Sequence, residues 1–75
     1  MKKLPRFCTG DLVFIAKRSP PVMKEFVGRA VLISKRTFYY TPGLSIDGGS
    51  YYYTFLLDGK LFNILEDYLI SRPET

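Results

Sequence analysis

Asp58-Gly59 stands between two apolar runs, Tyr51–Leu57 and Lys60–Ile64, and this pair constrains the chain more than any other feature. Asp-Gly is among the pairs most favoured in a two-residue type I′ turn, because both central residues take positive φ and glycine does so without steric penalty. Such a turn also sets the register. Leu57 faces Lys60, Phe55 faces Phe62 and Tyr53 faces Ile64, while Leu56 faces Leu61 and Thr54 faces Asn63 on the alternate side. Away from the turn, the Tyr53/Phe55/Phe62/Ile64 side is the more apolar, so it is the expected core face; a slip of one residue would turn every side chain over. Cross-strand pairs such as Phe55–Phe62 contribute roughly 0.2–1 kcal/mol each. Leu56 and Leu61 are left together on the outer face as a small apolar patch.

The rest of the chain also reads as β-structure. After Gly10-Asp11, the β-branched and aromatic run Leu12–Arg18 predicts a first strand, stopped by Ser19-Pro20-Pro21 because proline offers no N–H to a ladder. Residues 19–27 form a long loop whose Val22, Met23, Phe26 and Val27 are expected to fold back on the core. A second strand, Arg29–Arg36, runs on towards Phe38 and Tyr39, and a broad turn region follows from Thr41 to Ser50. Leu65–Tyr68 is too short for a free-standing helix and reads as a single 3₁₀ turn before a last short strand, Leu69–Ser71. The order of elements predicts an all-β fold: a five-stranded SH3-like barrel with one short 3₁₀ turn before the last strand. It fills a single domain, 1–75, with an ordered core of about 8–71. A closed barrel leaves few edges open to aggregation. An OB-like barrel competes, but it wants a longer chain and a helix between its third and fourth strands.

Composition narrows function mainly by exclusion. The 75 residues contain no His and one Cys, which removes histidine general bases, His-ligated metals, disulfide frameworks and cysteine zinc sites. Glu66-Asp67 is the one adjacent carboxylate pair; neighbours in a helical turn diverge, so they are expected to be solvated rather than an acid–base dyad. Cys8 has Arg6 nearby but no evident base. Gly48-Gly49 lacks the lysine and following helix of a phosphate loop. A non-enzyme with no cofactor and no metal is expected. A lone cysteine, and apolar runs far short of the roughly 20 residues a membrane span needs, favour a cytoplasmic protein with no membrane partner.

Two binding surfaces stand out. Nine Lys and Arg against two acidic residues give residues 1–36 a charge of +7, and residues 37–75 carry −3, for the overall +4. Lys17, Arg18, Arg29, Lys35 and Arg36 with Tyr39 and Tyr40 are candidates for nucleic-acid binding, since cations neutralise phosphates while bases stack on aromatic faces. Leu56, Leu61, Tyr51 and Tyr52 are candidates for a protein interface, with a protein partner or a second copy as occupant. Tyr39, Tyr40, Tyr51 and Tyr52 are also weighed as an aromatic cage for a methylated side chain.

Gly10-Asp11-Leu12-Val13-Phe14-Ile15 resembles the opening strand of small SH3-like domains of the KOW/Tudor-like type. Tyr53–Lys60 and Leu65–Leu69 resemble their hairpin and closing turn. With Gly28-Arg29-Ala30-Val31, the chain resembles uncharacterised SH3-like proteins common in tailed bacteriophages. That resemblance implies a small barrel acting as a binding module, in the host cytoplasm if phage-encoded, and assigns no site residues. The chain departs from signalling SH3 domains in lacking their ALYDY-type motif and groove tryptophan, and from KOW elements in carrying Lys17-Arg18-Ser19-Pro20 where a glycine is expected.

Overall fold

The computed structural model describes residues 4–40 and 49–73. Five antiparallel strands, β1 (Leu12–Ile15), β2 (Ala30–Tyr40), β3 (Gly49–Leu57), β4 (Lys60–Leu65) and β5 (Leu69–Ile70), form one sheet in the order β4-β3-β2-β1-β5. The sheet curls into a small SH3-like half-barrel. Among the described residues, β4 and β5 do not pair; the 3₁₀ turn Glu66–Tyr68 links these two edges, so the expected closed cylinder stays open along one side.

The hairpin forms in the register expected from its turn, with Phe55 opposite Phe62 and Tyr53 opposite Ile64. Asp58 and Gly59 take φ values of 52° and 81°, as a type I′ turn requires. Tyr53 and Phe55 are fully buried, and Val13, Ile15, Val31, Ile33, Leu57, Ile64 and Leu69 complete the core around them. The core also reaches beyond residue 8 to Phe7, whose ring meets Tyr53 edge-on at 5.6 Å.

Two elements differ from expectation. β1 stops at Ile15 rather than Arg18, because the chain turns over residues 16–19, where the Ser19 N–H donates back to the Ala16 carbonyl at 3.1 Å. The loop after it contains a 3₁₀ segment, Pro21–Phe26, started by prolines whose preset φ suits a first turn. The loop folds back on the core through three of its four expected residues: Met23 is buried, Phe26 packs edge-on against Phe62 at 5.5 Å and Val27 lies against the core, but Val22 is 75% exposed because the 3₁₀ turn points it away from the sheet.

Glu66 overturns the expectation of a solvated carboxylate. It is 1% exposed, and its Oε2 accepts the Tyr53 hydroxyl at 2.7 Å and the Arg6 backbone N–H at 2.9 Å. Burial in the first instance, and the hydrogen bond to Glu66 in the second, push the Tyr53 hydroxyl up to about 12. The first helical residue of the closing turn therefore clamps the N-terminal segment onto the barrel.

Candidate functional site

A β-bulge decides which side chains reach the outer face. Ile33 pairs with Phe55 but Lys35 pairs with Thr54, leaving Ser34 as an extra residue whose hydroxyl donates to the Thr54 carbonyl at 3.0 Å. Before the bulge, Val31 and Ile33 point into the core. After it the alternation is reversed. Arg36, Phe38 and Tyr40 follow the core side, while Lys35, Thr37 and Tyr39 turn outward.

The five candidate cations are not gathered into one stripe. Lys17 and Arg18 lie in the turn after β1, where the Arg18 guanidinium donates to the Asp67 carbonyl at 2.6 Å. Arg29 sits at the hairpin tip, in an exposed ion pair with Asp58 at 3.2 Å. Arg36, on the core side, donates to the Phe7 carbonyl at 3.0 Å and to the Cys8 sulfur at 3.7 Å, and lies 5.9 Å from the Tyr51 ring. Lys35 alone of the five is carried on the outer face alongside the outward tyrosines.

The four tyrosines divide between the two faces in the same way, which rules out a four-sided cage. Tyr51 is on the core side against Phe38, at 4.8 Å between ring centres, and the exposed Tyr40 shares that side. Tyr51 is thus separated from Leu56 and Leu61. Tyr39 and Tyr52 meet on the outer face, with ring centres 4.9 Å apart and planes at 87°. With Ser50 and Asn63 they line a cleft of about 260 Å³. Thr54 ties this corner to the neighbouring strand, its hydroxyl donating to Asn63 Oδ1 at 3.2 Å.

Nearer the hairpin tip, the outer face is apolar. Leu56 and Leu61 are directly opposite each other and 61% and 70% exposed, as the turn register implies. They are half of a longer row. Leu12 pairs with Leu32, these two being 57% and 59% exposed, and the antiparallel register that joins Ile33 to Phe55 sets Leu32 beside Leu56. Four leucines on four successive strands, Leu61, Leu56, Leu32 and Leu12, therefore cross the convex side of the sheet.

Leu12, Leu32, Ser50 and Asn63 were not among the sequence candidates. Leu12 and Leu32 carry a signal, since each is one position out of phase with the core residues Val13 and Val31. Ser50 and Asn63 carry none; only the strand order brings them to Tyr39 and Tyr52. No family model, no curated protein and no solved structure matches the chain.

Proposed function

We propose that this protein is a non-catalytic binding module that docks a protein partner on the row Leu12, Leu32, Leu56 and Leu61. The observation that carries this reading is the row itself. Its four members leave about two and a half leucines' worth of surface in water, and contiguous exposed apolar surface on a small domain commonly marks an interaction site. Burying them fully would contribute on the order of 4–7 kcal/mol before the costs of association. The occupant is a different protein rather than a second copy. A typical stable interface takes about 800 Å² from each side, and two copies meeting through the same convex curl would touch over much less. A partner with a concave apolar groove can cover the whole row. The groups weighed for catalysis have structural employment instead: Glu66 clamps the N-terminal segment, the Cys8 sulfur accepts from Arg36, and the neighbouring Asp11 carboxylate accepts the Cys8 backbone N–H in a local turn.

A photo-crosslinking side chain placed at Leu32 or Leu61 tests this in the producing cell, with Lys24 on the exposed 3₁₀ segment as the control position. The expected result is one and the same protein adduct from both row positions and none from Lys24, lost when Leu12→Ser and Leu56→Ser are added. Absence of any adduct, or adducts to a second copy alone, would overturn the proposal.

A further inference from the structure

We infer that the outer face of the β2–β3 ribbon binds single-stranded nucleic acid, with one base held in the corner between Tyr39 and Tyr52. This inference goes beyond the leucine row and does not depend on it. Two rings at 87° and 4.9 Å form a right-angled corner: a planar group stacked on one ring is walled by the other. The cleft of about 260 Å³ lies just under the roughly 300 Å³ at which small-molecule pockets begin, which suits one planar ring rather than a larger ligand.

The polar groups around the corner match a nucleotide. Asn63 and Ser50 line the cleft, and an amide can both donate to and accept from a base edge. Asn63 Oδ1 already accepts from Thr54, so its amide N–H groups are the donors left for a ligand. Lys35 pairs with Thr54 and is therefore diagonal to Tyr52, a separation of about 7–8 Å, within reach of long side chains. Its side chain reaches the backbone of a strand whose base stacks on Tyr52. Among the described residues the one salt bridge is Arg29–Asp58, and Lys35 is exposed without a carboxylate partner. A neutral sugar would use the same rings and amide, but the cation on this face and the overall charge of +4 favour a polyanion.

The test is binding of a fluorescently labelled oligothymidylate or oligouridylate of about 12 nucleotides, followed by anisotropy across a salt series. The whole chain binds at about 20 mM salt, where phosphate contacts are least screened. Tyr39→Ala and Tyr52→Ala each weaken binding on the order of 5- to 100-fold, while Tyr39→Phe and Tyr52→Phe retain it, because stacking needs the ring and not the hydroxyl. Lys35→Ala lowers the slope of log K against log salt by about 0.7, the value for one phosphate contact on a single strand. The Leu56→Ser/Leu61→Ser variant binds the oligonucleotide like the parent, which separates this site from the leucine row. No binding at low salt would overturn the inference. So would binding that both Tyr→Ala variants leave unchanged, or tighter binding of a neutral oligosaccharide in competition.

Discussion

Tyr53→Phe is the sharpest probe of what holds the barrel together. The substitution keeps a fully buried ring and removes one oxygen. That oxygen donates to Glu66 Oε2 at 2.7 Å and accepts the Phe7 N–H at 3.3 Å, so the variant leaves a buried carboxylate with only the Arg6 N–H on Oε2. Glu66 Oε1 has no hydrogen-bond partner among the described residues, so no second oxygen contact takes up the loss. A hydrogen bond to a charged group contributes about 1.5–3 kcal/mol, and the weaker Phe7 contact adds less; together about 2–4 kcal/mol is lost. A single core of this size supplies only ~3–5 kcal/mol, so the variant sits near its unfolding transition. Urea denaturation followed by far-ultraviolet circular dichroism at pH 7 should show an unchanged slope and a midpoint lower by about 2 M.

The pH dependence gives an independent check. The hydroxyl holds its proton more tightly in the folded protein, at about 12 against an ordinary 10. Its stabilising contribution is therefore complete below pH 10 and is lost as pH rises towards 12. Two pH units correspond to about 2–3 kcal/mol, so the parent protein loses that much more between pH 10 and 12 than Tyr53→Phe does. A loss under about 0.5 kcal/mol at pH 7, with parallel alkaline profiles for the two proteins, would refute the clamp.

Three further substitutions have defined outcomes. Phe55→Ala removes a fully buried ring that stacks on Phe62 at 5.9 Å; the expected loss of about 3–5 kcal/mol leaves the chain unfolded by circular dichroism at 25 °C. Gly49→Ala would drive a methyl group into the Tyr39 carbonyl and to within 2.8 Å of Phe38 Cζ, so the ribbon ends must part; proton NMR should lose the Tyr39–Tyr52 ring contacts while those of Phe55 and Phe62 persist. Arg29→Ala breaks an ion pair in which both side chains are about half exposed, and thermal unfolding should register no more than about 1 kcal/mol.

The hairpin was legible because its information is local. Asp58-Gly59 specifies a turn, the turn specifies register, and register alone says that Tyr53, Phe55 and Ile64 go inside while Leu56 and Leu61 stay out. Met23 and Phe26 were likewise readable as apolar residues in a segment too short to hide them elsewhere. Glu66 was not, because its burial depends on Tyr53 and Arg6, 13 and 60 positions away. Neither residue marks itself in the sequence as a partner for a carboxylate.

What the amino-acid order determined by itself is an all-β chain with one strongly specified hairpin and no histidine chemistry. What only the tertiary structure decided is which surface those strands present. Strict alternation from Val31 and Ile33 would carry Lys35 and Tyr39 to the core side, and the single extra residue at Ser34 reverses that. Nothing in Ser34 announces a bulge; it arises where β2, paired with β1 on one edge, bends to follow β3 on the other. The bend brings Tyr39 to Tyr52, and the register before it aligns leucines from four strands, because neighbours across a curled sheet are set by strand order rather than by distance along the chain.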